Sequence, residues 1–261
     1  MSNAAAVVLA AGKGTRMKSE LPKVLVPVCG RPMVEYVLDA LTEAGVGRIV
    51  VVVGYRADLV ESTLNEQNSG KTPRWPGLQF VLQREQRGTA DAVACARENL
   101  ADFDGPIVVL AGDQPMTRAE TIRKMLDLYE KGTTGNELPI SCLIGTVCKV
   151  NPFGFGRIIR DGQGNFVGIV EQKDATEEQK EIKEVNVSYY AFRSSDLWSA
   201  LSQIRPNNAQ GEYYLTDCPA LLIQAGKRVE ARNALHPNES LSINTVEQLQ
   251  DCEAVLNAER K

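Results

Sequence analysis

The run Ala4-Ala5-Ala6-Val7-Val8-Leu9-Ala10-Ala11 breaks directly into Gly12-Lys13-Gly14-Thr15-Arg16-Met17. Side chains alternate between the two faces of a strand, so a run with no polar position is apolar on both faces. Ala5–Ala10 therefore reads as a fully buried strand, the kind found in a parallel sheet covered on both sides. The following stretches keep the same alternation. Met33–Ala44 carries Met33, Val34, Val37, Leu38 and Leu41 at helical spacing, and Gly45 stops it. Arg48–Val53 reads as a strand, Ala57–Leu64 as a helix, Leu78–Leu82 as a strand and Thr89–Asn99 as a helix. Ile107–Ala111 and Ala119–Lys131 add a strand and a helix. Strands alternating with helices predict the α/β class, with a mostly parallel mixed sheet flanked by helices.

The second half is less regular. Ile140–Val147 reads as a strand. Phe155–Ile159 and Phe166–Val170 flank Asp161-Gly162, a hairpin turn signal. Val185–Phe192 and Val229–Asn233 read as strands, and Leu197–Ile204, Leu215–Ala225 and Val246–Glu259 as helices. Residues 66–77 are polar and read as an exposed loop. The whole predicts one domain with an inserted or appended antiparallel lobe.

Charge and composition exclude several classes. Lys plus Arg number 29 and Asp plus Glu 33, a net charge of −4, with no basic run of the kind a nucleic-acid binder needs. No apolar stretch approaches the ~18 residues of a membrane span. No positive charge precedes the first apolar run, so it is not read as a secretory signal, and the expected compartment is the cytoplasm. The 6 cysteines include no C-x-x-C pair and read as buried, reduced thiols. The one histidine, His236, reads as a surface loop residue.

The glycine-rich loop carries the first chemistry. Glycines after the first strand of such a sheet let the backbone approach a ligand, with N–H groups facing phosphate oxygens. Arg16 and Lys23, the latter in Leu21-Pro22-Lys23, supply two cations suited to a polyphosphate. G-x-x-x-x-G-K-[ST] is absent, and Gly12-x-Gly14 lacks the third glycine of G-x-G-x-x-G. Instead, Leu9-Ala10-Ala11-Gly12-Lys13-Gly14-Thr15-Arg16-Met17 followed by Leu21-Pro22-Lys23 resembles the signature of the sugar-1-phosphate nucleotidyltransferases.

Further segments point the same way. Gln83 closes a strand ahead of Gly88-Thr89-Ala90. Its amide offers a donor and an acceptor, and uracil presents N3–H beside a carbonyl. A polar residue merely capping the strand would look the same. Ala111-Gly112-Asp113-Gln114-Pro115 puts a carboxylate at the carboxyl end of a buried strand, where sheets of this class bind ligands. A hard oxygen there suits Mg²⁺. Phe153-Gly154-Phe155-Gly156-Arg157, Ile169-Val170-Glu171-Gln172-Lys173-Asp174, Val185-Asn186-Val187-Ser188 and Asn208–Asp217 complete an ordered series. Together they resemble the uridylyltransferase domain of bacterial bifunctional N-acetylglucosamine-1-phosphate uridylyltransferases, from Val7 to about Leu249.

That resemblance implies a Rossmann-like fold with a small antiparallel sugar-binding lobe, a transferase domain over residues 1–245, and a C-terminal helix over 246–261 where those enzymes begin a β-helix. It implies that UTP and N-acetylglucosamine 1-phosphate give UDP-N-acetylglucosamine and pyrophosphate, with Mg²⁺, for cell-wall and lipopolysaccharide synthesis. Leu9, Ala10, Ala11, Gly12, Gly112 and Asp113 would hold the nucleotide, with Gln83 and Gly88 reading the base and Thr89 beside the nucleotide-sugar. Arg16 and Lys23 would act on the phosphates. Gly156, Glu171, Asn186 and Asn244 would contact the sugar, and Asp113 and Asn244 the metal. No hexapeptide repeats occur, so neither acetyltransferase activity nor the β-helix trimer is implied, and the oligomeric state stays open. Ser188 stands where the family often has Gly, which keeps another sugar such as glucose 1-phosphate, or another nucleotide, as the alternative. A binding protein without turnover would be expected to lack Arg16, Lys23 or Asp113, and all three are here.

Overall fold

The computed structural model describes residues 3–17, 19–133 and 138–259. Residues 260–261 of the expected C-terminal segment lie outside the described residues. In chain order the strands are β1 (Ala5–Ala10), β2 (Pro27–Val28), β3 (Arg31–Pro32), β4 (Arg48–Val53), β5 (Leu78–Leu82), β6 (Pro106–Ala111), β7 (Ile140–Cys148), β8 (Gly156–Arg160), β9 (Phe166–Val170), β10 (Glu184–Arg193) and β11 (Arg228–Asn233). The α-helices are α1 (Met33–Glu43), α2 (Ala57–Asn68), α3 (Thr89–Cys95), α4 (Ala119–Thr133), α5 (Glu177–Lys180), α6 (Ser194–Leu201), α7 (Cys218–Gln224) and α8 (Val246–Glu259).

One sheet runs β11-β7-β10-β6-β1-β4-β5, with β8 and β9 attached through β10. β1 pairs in parallel with both β4 and β6, and β4 with β5. On this path β10 alone runs against its neighbours β6 and β7. The expected mostly parallel mixed sheet with an antiparallel appendage is what forms. Alternation along β1 explains why it is layered. Ala6, Val8 and Ala10 pack into a cluster with Val34, Leu38 and Leu41 of α1, Val60 and Leu64 of α2 and Met125 of α4. Ala5 and Val7 face the opposite cluster, with Val93 of α3, Leu197 of α6 and Leu222 of α7. The first strand is buried because helices cover both of its faces.

β10 shapes the cleft. One edge pairs with β7 along most of its length; the other pairs with β6 at Tyr190–Arg193, then with β8 at Val185 and Asn186. The switch falls at a bulge. Asn186 faces Thr146 and Tyr189 faces Gly145, which leaves Val187 and Ser188 unpaired. Bulges of this kind bend a strand and re-aim its side chains. The carboxyl end of β6 and the start of β8 therefore diverge, and a cavity opens between them.

Four sequence expectations need correction. Residues 66–77 are not simply an exposed loop: α2 continues to Asn68, and Trp75 is fully buried. Its Nε1 donates to Asp39 Oδ1 at 2.8 Å, and Arg74 donates to both oxygens of that carboxylate. The helix over 89–99 ends at Cys95, and a single 3-10 turn at Glu98–Leu100 follows. The helix over 215–225 starts as a 3-10 turn, with Pro219 in the first turn of α7, where its missing N–H costs nothing. The cysteines are free, but only Cys142, Cys218 and Cys252 are buried; Cys148 is exposed at the end of β7. His236 is exposed as expected, and its Nδ1 accepts from the Asn238 N–H to start a 3-10 turn. No helix among the described residues is long and apolar enough to cross a membrane.

Candidate active site

The strand order brings the loops after β1, β4, β5 and β6 to one edge of the sheet, the edge where ligands bind in such folds. After β1 the chain turns at Gly14, with φ +67°, and the Met17 N–H closes the turn on the Gly14 carbonyl at 2.9 Å. A Cβ at Gly14 would lie 2.5 Å from the Lys23 Cβ. The absent side chain is what lets the Lys23 stem pass. Lys23 opens a 3-10 turn anchored by the buried Val24 and Leu25. Its ammonium donates to Asp113 Oδ2 and, at 2.7 Å, to Asn244 Oδ1. Arg16 Nη2 donates to the same Asn244 oxygen at 2.9 Å. Four residues drawn from positions 16 to 244 thus form one polar cluster.

Asn244 is held from both sides. The Ile243 N–H donates to the Asp113 carbonyl at 3.1 Å, which ties this segment to the end of β6. The Asn244 N–H donates to Gln248 Oε1 at 2.7 Å, and the Gln248 N–H donates to Thr245 Oγ1 at 3.3 Å. Thr245 thus caps the start of α8 while the Gln248 side chain reaches back one residue further to the Asn244 N–H, and α8 buries Cys252 in a cluster with Met17, Val26, Val28 and Met116.

One cavity of about 220 Å³ is lined by Leu9, Ala11, Gly12, Gln83, Gln86, Gly88, Thr89, Ala92 and Glu212. Gln83 directly follows β5 and is 3% exposed. Its Nε2 donates to the Gly88 carbonyl at 3.1 Å and to Asp91 Oδ2 at 2.8 Å. Both partners accept only, so the amide must face them with its NH₂. Both donor hydrogens are then used inside the protein, which corrects the expectation that this amide offers a donor as well as an acceptor to a base. Among the described residues no donor reaches its Oε1, and no acceptor reaches the Gly88 N–H. Gly88 has φ +123°, and a Cβ there would lie 2.4 Å from the Tyr213 carbonyl oxygen. Its backbone is pressed against that of Tyr213, whose N–H donates to the Arg87 carbonyl at 2.8 Å.

A second cavity, about 350 Å³, contains Arg16, Asp113, Gln114, Gly156, Glu171, Asn186, Ser188 and Asn244 among its walls. It is the gap opened by the β10 bulge. Gln114 Nε2 donates to the Val187 carbonyl at 2.5 Å and so holds the bulge, while its buried Oε1 has no partner among the described residues. Ser188 sits at φ +63°. Asn186 Nδ2 donates to the Tyr190 hydroxyl at 2.7 Å, and its Oδ1 accepts from the Ser188 N–H at 3.1 Å. Glu171 accepts from Thr216 Oγ1 at 3.1 Å. Burial pushes its carboxyl above the usual range, aided by Asp174 and Asp217, against the Thr216 hydrogen bond. Burial also raises Asp217, and pushes Tyr214 up to about 12.

The expected residues therefore divide. Leu9, Ala11, Gly12, Gln83, Gly88 and Thr89 share the first cavity. Gly156, Glu171, Asn186, Asn244, Asp113 and Arg16 share the second. Lys23 reaches both Asp113 and Asn244. Ala10 and Gly112 line neither cavity: Ala10 packs into the core, and the Gly112 N–H is used on the Leu9 carbonyl at 2.9 Å. Residues not singled out from sequence also belong here. Asp91 holds the Gln83 amide, Thr216 holds Glu171, and Gln248 holds Asn244. The Gln248 signal was available as Thr245-x-x-Gln248, a capping pair ahead of a helix. Asp91 and Thr216 carried no signal beyond their neighbourhood in the motifs.

Comparison with known proteins adds an independent line. The model of the MobA-like NTP transferase domain matches residues 6–138. The chain is 44% identical over 253 residues to the Bifunctional protein GlmU of Pelotomaculum thermopropionicum, covering 97% of this chain and 52% of that protein. It is 45% identical over 238 residues to the Bifunctional protein GlmU of Lactobacillus delbrueckii subsp. bulgaricus, covering 91% of this chain and 48% of that one. The chain thus spans about half the length of these curated relatives. Its fold is similar to that of a crystal structure of apo UDP-glucose pyrophosphorylase, with TM-score 0.78 at 17% identity and full coverage of both chains. A UDP-glucose pyrophosphorylase complexed with UDP-glucose gives 0.76 at 19% identity.

Proposed function

Because the chain belongs to the MobA-like NTP transferase family, we propose that it transfers a uridylyl group from UTP to N-acetylglucosamine 1-phosphate, releasing pyrophosphate and forming UDP-N-acetylglucosamine. The observation that carries this reading is the convergence of Arg16, Lys23, Asp113 and Asn244 beside two separate cavities. One cavity suits a nucleobase and the other a sugar, with the phosphates in between. The enzyme is proposed to work in the cytoplasm.

In the first cavity, Gln83 Oε1 accepts from uracil N3–H and the Gly88 N–H donates to the neighbouring carbonyl. Cytosine presents the opposite pattern on that edge. In the second, Glu171 and Asn186 receive the sugar. A phosphate oxygen of the sugar phosphate attacks the α-phosphorus in line, the bond to the bridging oxygen breaks, and pyrophosphate departs. The nucleophile is already an anion, so no general base is required. Catalysis rests on positioning and charge neutralisation by Arg16 and Lys23.

A divalent cation fits the donor set. Asp113 Oδ2 and Asn244 Oδ1 converge closely enough to share one ammonium, and two hard protein oxygens completed by phosphates and water is the habit of Mg²⁺. Asp113 and Asn244 would hold it, and the metal would supply charge neutralisation at the phosphates.

The test is pyrophosphate release from UTP and Mg²⁺, with and without N-acetylglucosamine 1-phosphate. Release that requires both supports the reading. Release with glucose 1-phosphate instead would keep the mechanism and move the specificity, an alternative motivated by Ser188 in its left-handed conformation beside Asn186. Absence of release with any sugar phosphate, alongside nucleotide binding, would mark a binding protein.

A further inference from the structure

Among the described residues, Asp91 is the carboxylate that touches Gln83, and it is outside the reacting centre. It stands in the first turn of α3, with its side chain 14% exposed. The two oxygens are divided: Oδ2 accepts from Gln83 Nε2 at 2.8 Å, and Oδ1 accepts from Arg87 Nε at 3.1 Å and Nη2 at 2.6 Å. Arg87 in turn lies over the Tyr213 ring, 5.8 Å from its centroid.

A primary amide is nearly symmetric in shape, so packing alone does not decide which end of Gln83 faces the cavity. Polarity decides it. A carboxylate accepts only, and so does the Gly88 carbonyl on the other hydrogen. With both in place, turning the amide over would set its oxygen against two acceptors. We propose that Asp91 is the positioning residue that fixes the nucleotide preference, by pinning the Gln83 amide with its oxygen toward the base. The exposed face of the cavity then accepts a hydrogen bond and cannot donate one at that point. A base with N–H there, uracil, is accepted; a base with a bare ring nitrogen, cytosine, faces lone pair against lone pair. This deepens the proposed function and rests on its assignment of the first cavity to the base.

The experiment is calorimetric binding of UTP and of CTP, each with Mg²⁺, to the full chain, so that its outcome does not depend on turnover. Wild type is expected to prefer UTP by about tenfold or more, as sites that hydrogen-bond a substrate group reject an analogue lacking it. D91A removes one of the two acceptors that pin the amide, and the UTP-to-CTP preference falls several-fold toward the level that the Gly88 carbonyl alone maintains, with CTP binding strengthened in absolute terms. D91N keeps an acceptor toward Gln83, since the exposed Arg87 can swing to water, and retains most of the preference. Q83A loses the preference, and Q83A/D91A loses no more than Q83A does. A D91A protein that is folded by circular dichroism and keeps the wild-type ratio would overturn the proposal, as would a wild type without preference. If pyrophosphate release fails while these ratios behave as stated, the catalytic reading falls and this one stands.

Discussion

Lys23 Nζ lies 2.7 Å from Asn244 Oδ1 across 221 positions of sequence, and Arg16 donates to the same oxygen. One side-chain amide oxygen thus ties both loop cations together, and Lys23 joins the pair to Asp113. Replacing Lys23 by Met is expected to lower kcat by ~10²–10³, the usual loss when one preorganised charge stabiliser is removed. Because the two cations share a partner, the R16M/K23M double variant should lose less than the product of the single losses. Multiplicative losses in steady-state pyrophosphate release would mean that the cations act independently.

Gly14 makes the approach of Lys23 possible. An alanine there would hold a left-handed conformation at a cost of about 1–2 kcal/mol and push on the Lys23 stem. G14A should therefore lose stability in urea titration and lose kcat, while the uridine end of the site stays intact. A variant that loses stability alone would show that Lys23 does not need this passage.

Glu171 should set the acid limb of sugar-phosphate binding. Burial raises its carboxyl, so it takes up a proton at a pH where an ordinary carboxylate is still charged. As pH falls, KM for the sugar phosphate is expected to rise above the usual carboxylate range, and E171Q should flatten that limb while raising KM at neutral pH. The stability sign is opposite. A raised folded pKa contributes stability that is present at low pH and is lost as pH rises through it. E171Q should therefore raise the neutral-pH Tm. A neutral-pH Tm that is unchanged or lower would remove the buried-charge argument.

Trp75 anchors a segment that looks dispensable by composition. W75F removes the donor to Asp39, and a lost hydrogen bond to a charged partner costs about 1.5–3 kcal/mol, measurable by urea unfolding with kcat per folded molecule unchanged. Burial alone would raise Asp39, but hydrogen bonds from Arg74, Trp75 and Arg31 outweigh it and hold the carboxyl low. A lowered folded pKa gives stability that is present above the ordinary carboxylate range and is lost as pH falls. Acid unfolding of W75F should thus begin from a smaller reserve and at higher pH.

What the sequence made legible was whatever depends on local pattern. β1, β4 and β6 are continuous apolar runs because both faces are covered, and they were readable as such. Arg16, Lys23 and Asp113 follow those strands directly, so the sheet delivers them together. Trp75 was hidden because its burial depends on Asp39, 36 positions earlier and on another element. The Gln83 orientation was hidden for a related reason: an amide side chain carries no sign of which end is free until its acceptors are known. The β10 bulge depends on Gln114 reaching Val187 across 73 positions, and no periodicity records it.

Asn244 arrives late. The walls of the first cavity come from residues 9 to 92 and Glu212, yet the Asn244 oxygen meets Lys23 only when Ile243 reaches Asp113 and α8 settles beside Met17. The first cavity has its last wall residue at Glu212, and the Arg16–Lys23–Asp113–Asn244 cluster waits for position 244. On the proposed function, the cluster that would act on the phosphates is complete only in a chain whose α8 has docked.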